Sequence, residues 1–373
     1  MYDLLVSPFR IRGLTLPNRI VMPPMVTFLA GDDGLVTQAH RDHYEQSAGP
    51  GLMVVEGTAV LPEGRIDRRQ LGIYSDGHVE GLSELAGIIH SAGAVAGIQI
   101  HHAGATAFAE ARGPKTYRRI PPTLVRLLLQ QFATSRLVRI RDAFKDAGRR
   151  AAAAGFDIIE LHAAHGYLFS QLLSPLKNRR LDRYGGSIEN RSRFLFEVFQ
   201  AVQEEVGDRA LVTARIGVVD GQKGGLTLSD GLSVALRLQE EGAPLLSISC
   251  GSGIPGWVRP EGSPYSPRLH LAARAKSVLQ VPVIGGGGVR RPELAEQALR
   301  DGMSDLVYVG QAMLADPGWA RKVIEGQEDM IVACRGCGRC FWFEDYRKCP
   351  SRPDAVDGRN SRAWHTRTTL EFR

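Results

Sequence analysis

Short apolar runs alternate along the chain with longer amphipathic stretches. Eight runs have the length and the β-branched content of strands, and each is followed by Gly, Pro or His. Because these runs are apolar without strict alternation, the strands are predicted to be buried on both faces, as in a parallel sheet. The eight predicted strands are Arg19–Met22, Leu52–Glu56, Ala96–Ile100, Asp157–Leu161, Ala210–Ile216, Leu245–Cys250, Val281–Ile284 and Asp305–Val309.

Helical patterns fill most of the intervals between these runs. Six segments repeat apolar residues every three or four positions, and Gly155, Gly242 and Gly302 mark the ends of three of them. The six predicted helices are Val79–Ser91, Val138–Ala154, Arg191–Val206, Leu228–Glu241, His270–Leu279 and Pro292–Asp301. This alternation predicts an α/β fold, a closed TIM (β/α)8 barrel. A doubly wound sheet is the alternative, but the strand count and the polar strand ends favour the barrel.

Two segments depart from this rhythm. Residues 108–136, after the third strand, form a long loop rich in Arg, Pro and Leu, and a loop of this length is typical of a lid. Residues 331–373 contain four cysteines and end in a polar, basic tail from Ser351 onward. We therefore predict two parts, a barrel over residues 1–330 and a Cys-rich C-terminal extension over residues 331–373.

Composition narrows the class of protein. The 373 residues, 43% of them hydrophobic, suffice for one large barrel with insertions. The net charge is +6, but the basic residues are interleaved with acids, so no nucleic-acid partner is expected. No apolar run approaches the roughly 20 residues of a membrane span, so no membrane partner is expected. The N-terminus lacks the pattern of a secretory signal, and a cytoplasmic homo-oligomer acting on a small molecule is expected.

Polar side chains follow directly on the fourth predicted strand. His162, His165 and Tyr167 lie within six positions of each other. Because the carboxyl ends of barrel strands meet at one mouth, this cluster is suited to hold a substrate oxygen and to deliver a proton. The alternative is that the three residues only hold a loop together, but the density of the cluster favours the functional interpretation.

Glycines follow the last two predicted strands. Residues 285–288 are all glycine, and Gly310 follows the eighth strand. Glycine lets backbone N–H groups approach a phosphate closely, and these loops are the usual phosphate site of a barrel. The pattern therefore predicts a phosphate-bearing cofactor, although tight turns also favour glycine.

Two further polar residues lie in the predicted strands. Gln99 is in the third strand, and Arg215 is near the end of the fifth. An amide that donates and accepts hydrogen bonds, together with a fixed cation, suits a flavin ring. Arg215 could also form an ion pair inside the barrel with Glu56 or Glu160, and the two interpretations are compatible.

Five motifs together resemble those of the old yellow enzyme family of FMN-dependent ene-reductases. The chain also resembles the barrel domains of 2,4-dienoyl-CoA reductase and trimethylamine dehydrogenase, and the resemblance covers residues 4–349. The run NRRLDRYGGSIENR is highly specific. The motifs are PNRIVM at 17–22, VEGTAV at 55–60, QIHHAG at 99–104, HAAHGYL at 162–168 and NRRLDRYGGSIENR at 178–191.

The resemblance implies a role for each matching residue. His162 and His165 would bind a carbonyl or nitro oxygen of an activated alkene, and Phe28 would line the substrate pocket. NAD(P)H would reduce the flavin, hydride would pass from flavin N5 to the β-carbon, and Tyr167 would protonate the α-carbon. The residues that would bind FMN are Pro24, Met25, Val26, Gly57, Gln99, Arg215, Gly286, Gly287, Gly310 and Gln311.

Four positions depart from the family pattern. Val26 stands where relatives often have a Cys or Thr that touches the flavin, and Phe28 replaces a frequent Tyr. Ala105 and Gln311 occupy places where relatives often have Arg, and the Arg at the second place lies near the phosphate. These changes are expected to affect substrate size, flavin potential and turnover rather than the binding of FMN.

The cysteines pose a second chemical question. Cys334, Cys337, Cys340 and Cys349 lie within sixteen positions, whereas Cys250 is predicted to be a buried strand-end residue. The group resembles the iron–sulfur segment of larger family members and suits a [4Fe–4S] cluster. A structural Zn²⁺ fits the same residues, and reduced thiols without metal are the third hypothesis.

Three functions compete at this level. The leading hypothesis is an NAD(P)H-driven reductase of activated alkenes. The second is oxidative N-demethylation or dehydrogenation of an amine, with Phe28, Trp257 and Trp342 enclosing the cation. The pair of His162 and His165 argues against it, since a cation gains nothing from imidazole donors. The third is a non-catalytic flavin and iron–sulfur barrel that transfers electrons.

Overall fold

The computed structural model describes residues 2–107, 134–338, 340, 346–352 and 355. Ten strands are found in this part of the chain, and all eight predicted strands are among them. The strands are β1 Phe9–Ile11, β2 Leu14–Leu16, β3 Ile20–Met22, β4 Leu52–Ala59, β5 Val95–His101, β6 Ile158–Ala163, β7 Leu211–Gly217, β8 Leu246–Ser249, β9 Val283–Gly286 and β10 Leu306–Tyr308.

Strands β3 to β10 form a closed barrel in which each strand pairs with the next along the chain. All of these pairings are parallel, and the ladder closes where Val307 of β10 lies opposite Ile20 of β3. The predicted TIM barrel is therefore confirmed. Five strands, β4, β5, β6, β7 and β9, extend further at their carboxyl ends than predicted, and β5 thereby continues to His101 and β6 to Ala163.

Helices cover the outside of the barrel. Phe144, Phe169 and Phe194 are fully buried between helices and strands, and the rings of Phe144 and Phe169 are 5.1 Å apart. Ser187, Thr227 and Ser266 each cap the helix that follows with a side-chain oxygen. The helices are α1 Gln38–Gln46, α2 Val79–Ser91, α3 Thr134–Ala153, α4 Leu168–Leu173, α5 Ile188–Val206, α6 Leu228–Glu240, α7 Pro267–Lys276, α8 Pro292–Arg300, α9 Gln311–Ala315 and α10 Trp319–Ile324.

The hairpin of β1 and β2 closes the amino end of the barrel, and the sequence analysis missed it. Each strand has only three residues, which is too short for a recognisable pattern. Ile11 and Leu16 are buried in one apolar cluster with Leu52 and Ile158, the first residues of β4 and β6. Ligands are therefore excluded from this end, and the carboxyl end is left to carry the chemistry.

The predicted lid lies almost entirely outside the described residues. Its last three residues, 134–136, are described and form the first turn of α3, so the loop ends earlier than predicted. Apolar residues of α3 such as Leu137 and Ile140 are buried, which explains why helix is favoured there. No helix in the described part of the chain combines the length and the apolar character that a membrane crossing requires.

Gly231, in the first turn of α6, lies against the barrel backbone. A Cβ at this position would be 1.9 Å from the carbonyl oxygen of Val218. We expect Gly231→Ala to destabilise the protein by about 2 kcal/mol or more, because the backbone would have to move. Gly87→Ala, at an exposed position of α2, is the matched control, since no described atom outside the helix backbone would lie within 4 Å of its Cβ. It should stabilise the protein by up to about 1 kcal/mol. Thermal unfolding of both variants tests this, and equal shifts would contradict the packing described.

Candidate active site

Polar side chains occupy alternate positions near the carboxyl ends of four consecutive strands. Gln99 lies opposite Glu160 in the pairing of β5 and β6, and His162 lies opposite Arg215 in the pairing of β6 and β7. Ser249 lies opposite Gly217 in the next pair. Because successive residues of a strand point to opposite faces, residues two apart point into the barrel together. These side chains therefore form two layers inside its mouth.

The lower layer is organised by the buried carboxylate of Glu160. Gln99 Nε2 donates a hydrogen bond to Glu160 Oε1 at 2.7 Å, and the hydroxyl of Tyr308 donates to Oε2 at 3.1 Å. Ser247 donates to the same oxygen. Burial and the nearby carboxylate of Glu160 raise the pKa of Tyr308, which keeps this phenol a donor. The amide of Gln99 is thereby held with its oxygen free to accept, on the side of Gly57.

Arg215 has no ion-pair partner among the described residues. Its guanidinium lies over the ring of Tyr308, 4.8 Å from the ring centre, and its buried Nε makes no hydrogen bond to any described residue. The predicted ion pair with Glu56 or Glu160 does not form, because Glu56 accepts hydrogen bonds from Thr27 and Glu160 is engaged as described. A buried cation with an unused donor is thus available to a ligand.

The upper layer contains the three predicted catalytic residues, and the structure brings them together. His162 Nε2 is 3.1 Å from His165 Nδ1, and the ring of Tyr167 packs edge-on against that of His162 with centres 5.0 Å apart. His165 has a left-handed backbone (φ 61°), which its N–H supports by donating to the carbonyl oxygen of Cys250 at 3.1 Å. Cys250 itself is buried, as predicted.

Burial sets the protonation of this layer. Two causes lower the pKa of His162 and of His165 well below the ordinary value of 6.5. Desolvation by burial is the larger cause, and neighbouring basic side chains add to it. Burial raises the pKa of Tyr167 to about 12. At neutral pH the site therefore presents neutral imidazoles beside a protonated phenol.

Several predicted cofactor residues gather on the opposite side of the mouth. A Cβ at Gly57 would be 3.4 Å from both Gln99 Oε1 and Val26 Cγ2. A Cβ at Gly310 would be 3.2 Å from Met25 Sδ. The chain from Pro24 to Val26 follows β3 directly. These close approaches leave backbone rather than side chains exposed to the mouth.

The glycine loops also lie at this rim. Gly286 ends β9, and a Cβ there would be 2.5 Å from that of Tyr308. Gly287 has φ of 108°, which favours glycine, and Gly310 precedes the first turn of α9. The structure thus brings the two predicted phosphate loops together, since β9 and β10 are neighbours.

A cation that the sequence analysis missed lies beside these loops. Arg290 Nη2 donates to Gln311 Oε1 at 3.3 Å, and Arg290 Nε is buried with no hydrogen-bond partner in the described part of the chain. Gln311 Nε2 in turn donates to Cys340 Sγ at 3.3 Å. One residue separates Arg290 from the glycine run. This position in the sequence was the signal that could have identified it.

The cysteines approach each other at this edge of the barrel. Burial raises the pKa of the Cys340 thiol, and Cys334, Cys337 and Cys349 act on it in the same direction. However, no group of three or more His, Cys, Asp or Glu side chains in the described part of the chain is arranged to hold a metal ion. The iron–sulfur and zinc hypotheses therefore gain no support from the structure and stay predictions.

The aromatic residues suggested for an amine site are dispersed. Phe28 is buried with a left-handed backbone (φ 55°), whereas Trp257 is 67% exposed. Trp342 lies outside the described residues. An aromatic enclosure for a cation is therefore not assembled from the residues that the structure describes.

Two further polar residues of the site, His101 and Ser249, were not predicted from the sequence. His101 Nδ1 is 3.0 Å from His162 Nδ1, and His165 Nε2 is 2.7 Å from Ser249 Oγ. Both residues lie two positions beyond another inward-facing polar residue, Gln99 in β5 and Ser247 in β8. The two-residue period of a strand was the signal that could have found them.

The fold and this mouth define a (β/α)8-barrel enzyme with a polar site at the carboxyl end of its strands. The chain matches the model of the NADH:flavin oxidoreductase / NADH oxidase family over residues 4–330. It belongs to this family, and the predicted resemblance to old yellow enzymes, the NAD(P)H:flavin oxidoreductase class and the flavoprotein character are thereby confirmed. The family implies FMN as cofactor and NAD(P)H as reductant.

Two curated relatives are similar over most of this chain. NADPH dehydrogenase of Geobacillus sp. (strain WCH70) is 40% identical over 324 residues, which cover 86% of this chain and 93% of that protein. NADH oxidase of Thermoanaerobacter brockii is 38% identical over 341 residues, which cover 89% of this chain and 52% of that protein. The chain thus spans about half the length of this second relative.

Solved structures show the same barrel. A 2-naphthoyl-CoA reductase complex is 25% identical, with a TM-score of 0.80 and coverage of 94% of this chain and 56% of that chain. The 6-hydroxypseudooxynicotine amine oxidase of Pseudomonas geniculata N1 is 27% identical, with a TM-score of 0.79 and coverage of 95% and 54%. The old yellow enzyme homologue of Zymomonas mobilis is 25% identical, with a TM-score of 0.72 and coverage of 86% and 92%.

The buried histidines predict acid sensitivity. Burial lowers the pKa of His43, His101 and His102 to about 3, from the ordinary value of 6.5. Between these values the unfolded chain binds protons that the folded chain does not, so stability falls as the pH falls below 6.5. We expect each histidine to cost about 1 kcal/mol of unfolding free energy between pH 7.5 and 5.5. Most carboxyl groups remain ionised in this window. Equal melting temperatures at the two pH values would contradict neutral burial.

Proposed function

We propose that the protein uses NAD(P)H to reduce the activated C=C bond of α,β-unsaturated carbonyl or nitro compounds, with bound FMN. The observation that carries the proposal is the pair of His162 and His165, whose facing nitrogens are 3.1 Å apart beside Tyr167. Two neutral imidazoles can each donate a hydrogen bond to one oxygen, and a phenol is at hand to supply a proton.

Gln99 and Arg215 suit the ring system of FMN. Arg215 offers the unpartnered Nε donor, and Gln99 offers an amide oxygen whose orientation Glu160 holds. The backbone of Pro24, Met25 and Val26 and the bare Cα of Gly57 would form the remaining wall. When bound, FMN supplies the hydride that it has received from NAD(P)H. A cation at this position favours the electron-rich form of the ring.

The glycine loops suit the phosphate of FMN. Gly286, Gly287 and Gly310 would donate backbone N–H groups, and Gln311 would border them. The Arg that relatives often carry at position 311 is absent, and Arg290 stands beside Gln311 with a buried, unpartnered Nε. We assign the cationic contact with the phosphate to Arg290.

The upper layer suits an alkene conjugated to an oxygen. Negative charge develops on that oxygen as the β-carbon accepts hydride, and donors from His162 and His165 would stabilise it. Tyr167, with its pKa raised to about 12, stays protonated at neutral pH and would transfer its proton to the α-carbon. Phe28, buried near the end of β3, would limit the size of the substrate.

Oxidation of an amine is the second candidate, and one observation favours it. A similar structure of 27% identity is named an amine oxidase. The exposed position of Trp257 and the neutral donors of His162 and His165 argue against a cation site in this chain.

One experiment distinguishes the candidates. The FMN-loaded protein is reduced anaerobically with NADPH or NADH, and its flavin absorbance is followed after addition of cyclohexenone or nitrostyrene. We expect either compound to reoxidise the reduced flavin. If neither compound does so and only oxygen added afterwards reoxidises it, the alkene proposal is overturned. Reduction of the oxidised flavin by an amine would favour the second candidate.

Tyr167→Phe removes the proposed proton donor. We expect the rate of alkene reduction to fall by about 100-fold or more, which is typical for loss of a general acid. Reduction of the flavin by NAD(P)H should persist, because that step requires no proton from the phenol. Stopped-flow absorbance measures the two half-reactions separately. Equal loss in both half-reactions would exclude the proton-donor role and point to a packing defect.

Arg290→Gln removes the proposed phosphate contact. We expect the affinity for FMN to fall by about 10- to 100-fold, the effect of one lost charge-assisted hydrogen bond. The affinity for riboflavin, which has no phosphate, should not change. Fluorescence titration of the apoprotein with each flavin measures both constants. Arg291→Gln is the matched control, since Arg291 is exposed at the start of α8. Equal losses for FMN and riboflavin would contradict the assignment.

A further inference from the structure

Four side chains form a continuous hydrogen-bonded chain across the barrel mouth. His101 Nδ1 is 3.0 Å from His162 Nδ1, His162 Nε2 is 3.1 Å from His165 Nδ1, and His165 Nε2 is 2.7 Å from Ser249 Oγ. The chain begins at the end of β5 and finishes at the end of β8. Both nitrogens of His162 and both of His165 are therefore engaged.

Each contact can hold one hydrogen atom only. A neutral imidazole carries a hydrogen on one nitrogen and a lone pair on the other, so the tautomer of each ring dictates that of the next. The three rings are neutral, because burial lowers the pKa of each of them. Two arrangements of hydrogens remain, one running towards Ser249 and the other towards His101.

The free end of the chain favours the first arrangement. His101 Nε2 is fully buried and has no hydrogen-bond partner among the residues that the structure describes. If the hydrogens ran towards His101, this nitrogen would carry an N–H donor without an acceptor, which is rarer in proteins than an unused lone pair. The first arrangement, which runs towards Ser249, places the hydrogen of His101 on Nδ1, where it is donated to His162 Nδ1. His162 then carries its own hydrogen on Nε2.

We infer that His101 is a positioning residue that holds His162 in the tautomer with hydrogen on Nε2, so that this N–H is ready for the oxygen of the substrate. The inference rests on the proposed function, since an oxygen received between His162 and His165 needs an N–H from each ring. When the substrate enters, the hydrogen of His165 must move from Nε2 to Nδ1, and the hydroxyl of Ser249 can then rotate to donate to Nε2. His101 and His162 keep their hydrogens in place during this change.

Paired variants at position 101 test the role. His101→Asn offers an amide donor near the place of Nδ1, and His101→Leu has nearly the same shape without a donor. We expect kcat/KM for cyclohexenone to fall by about 10- to 100-fold in the Leu variant and to stay within about threefold in the Asn variant. Flavin content and melting temperature should match between the two. A Leu variant with the kcat/KM of the Asn variant would overturn the inference.

A second measurement does not depend on turnover. The ¹⁵N chemical shifts of labelled histidine distinguish a nitrogen that carries hydrogen from one that does not, and a His162→Asn spectrum assigns the signals. We expect Nε2 of His162 to carry the hydrogen in the wild-type protein and in the Asn variant, with a mixture of tautomers in the Leu variant. Hydrogen on Nδ1 of wild-type His162 would overturn the inference. Hydrogen on Nε2 in a protein that reduces no alkene would support it while the proposed function fails.

Discussion

Closure of the parallel barrel fixes the register between neighbouring strands, and every contact of the site depends on that register. Gln99 lies opposite Glu160, and His162 lies opposite Arg215, because each pair is in register between neighbouring strands. A shift of one residue in any strand would turn its polar side chains outward, into the apolar layer beneath the helices. The hairpin of β1 and β2 closes the other end with apolar side chains, so polar groups accumulate at one mouth only. Position in the barrel therefore decides which residues meet a ligand.

Burial then determines what these residues can do. Glu160 is tolerated inside the barrel because Gln99, Ser247 and Tyr308 all donate to it. The same burial keeps the histidines neutral and Tyr167 protonated, so these side chains act as hydrogen-bond donors and acceptors without charge. Glu160 lies in the lower layer, whereas Arg215 is level with His162 in the pairing of β6 and β7 and lies over the ring of Tyr308. The described mouth therefore combines neutral hydrogen-bonding side chains with one buried carboxylate and one buried guanidinium.

The Cys-rich extension contacts the barrel mouth near the glycine loops. Cys340 accepts a hydrogen bond from Gln311, which also contacts Arg290. Two hydrogen bonds therefore link the Cys340 thiol to Arg290. This connection links two features that appear unrelated along the sequence, the cysteine spacing and the missing Arg at position 311.

The architecture could be predicted from the sequence, because apolar runs of strand length recur eight times. The sequence also predicted that His162, His165 and Tyr167 lie together at a strand end and that the two glycine loops are neighbours, whereas their roles stay predictions. Short elements such as β1 and β2 escaped prediction because three residues carry no periodicity. The side-chain contacts became known only from the folded structure: Arg215 has no ion pair within the described part of the chain, Arg290 lies beside Gln311, and His101 contacts His162. The physical reason is that side-chain pairing depends on register and on the curvature of the closed sheet, which are set by residues far apart in the chain.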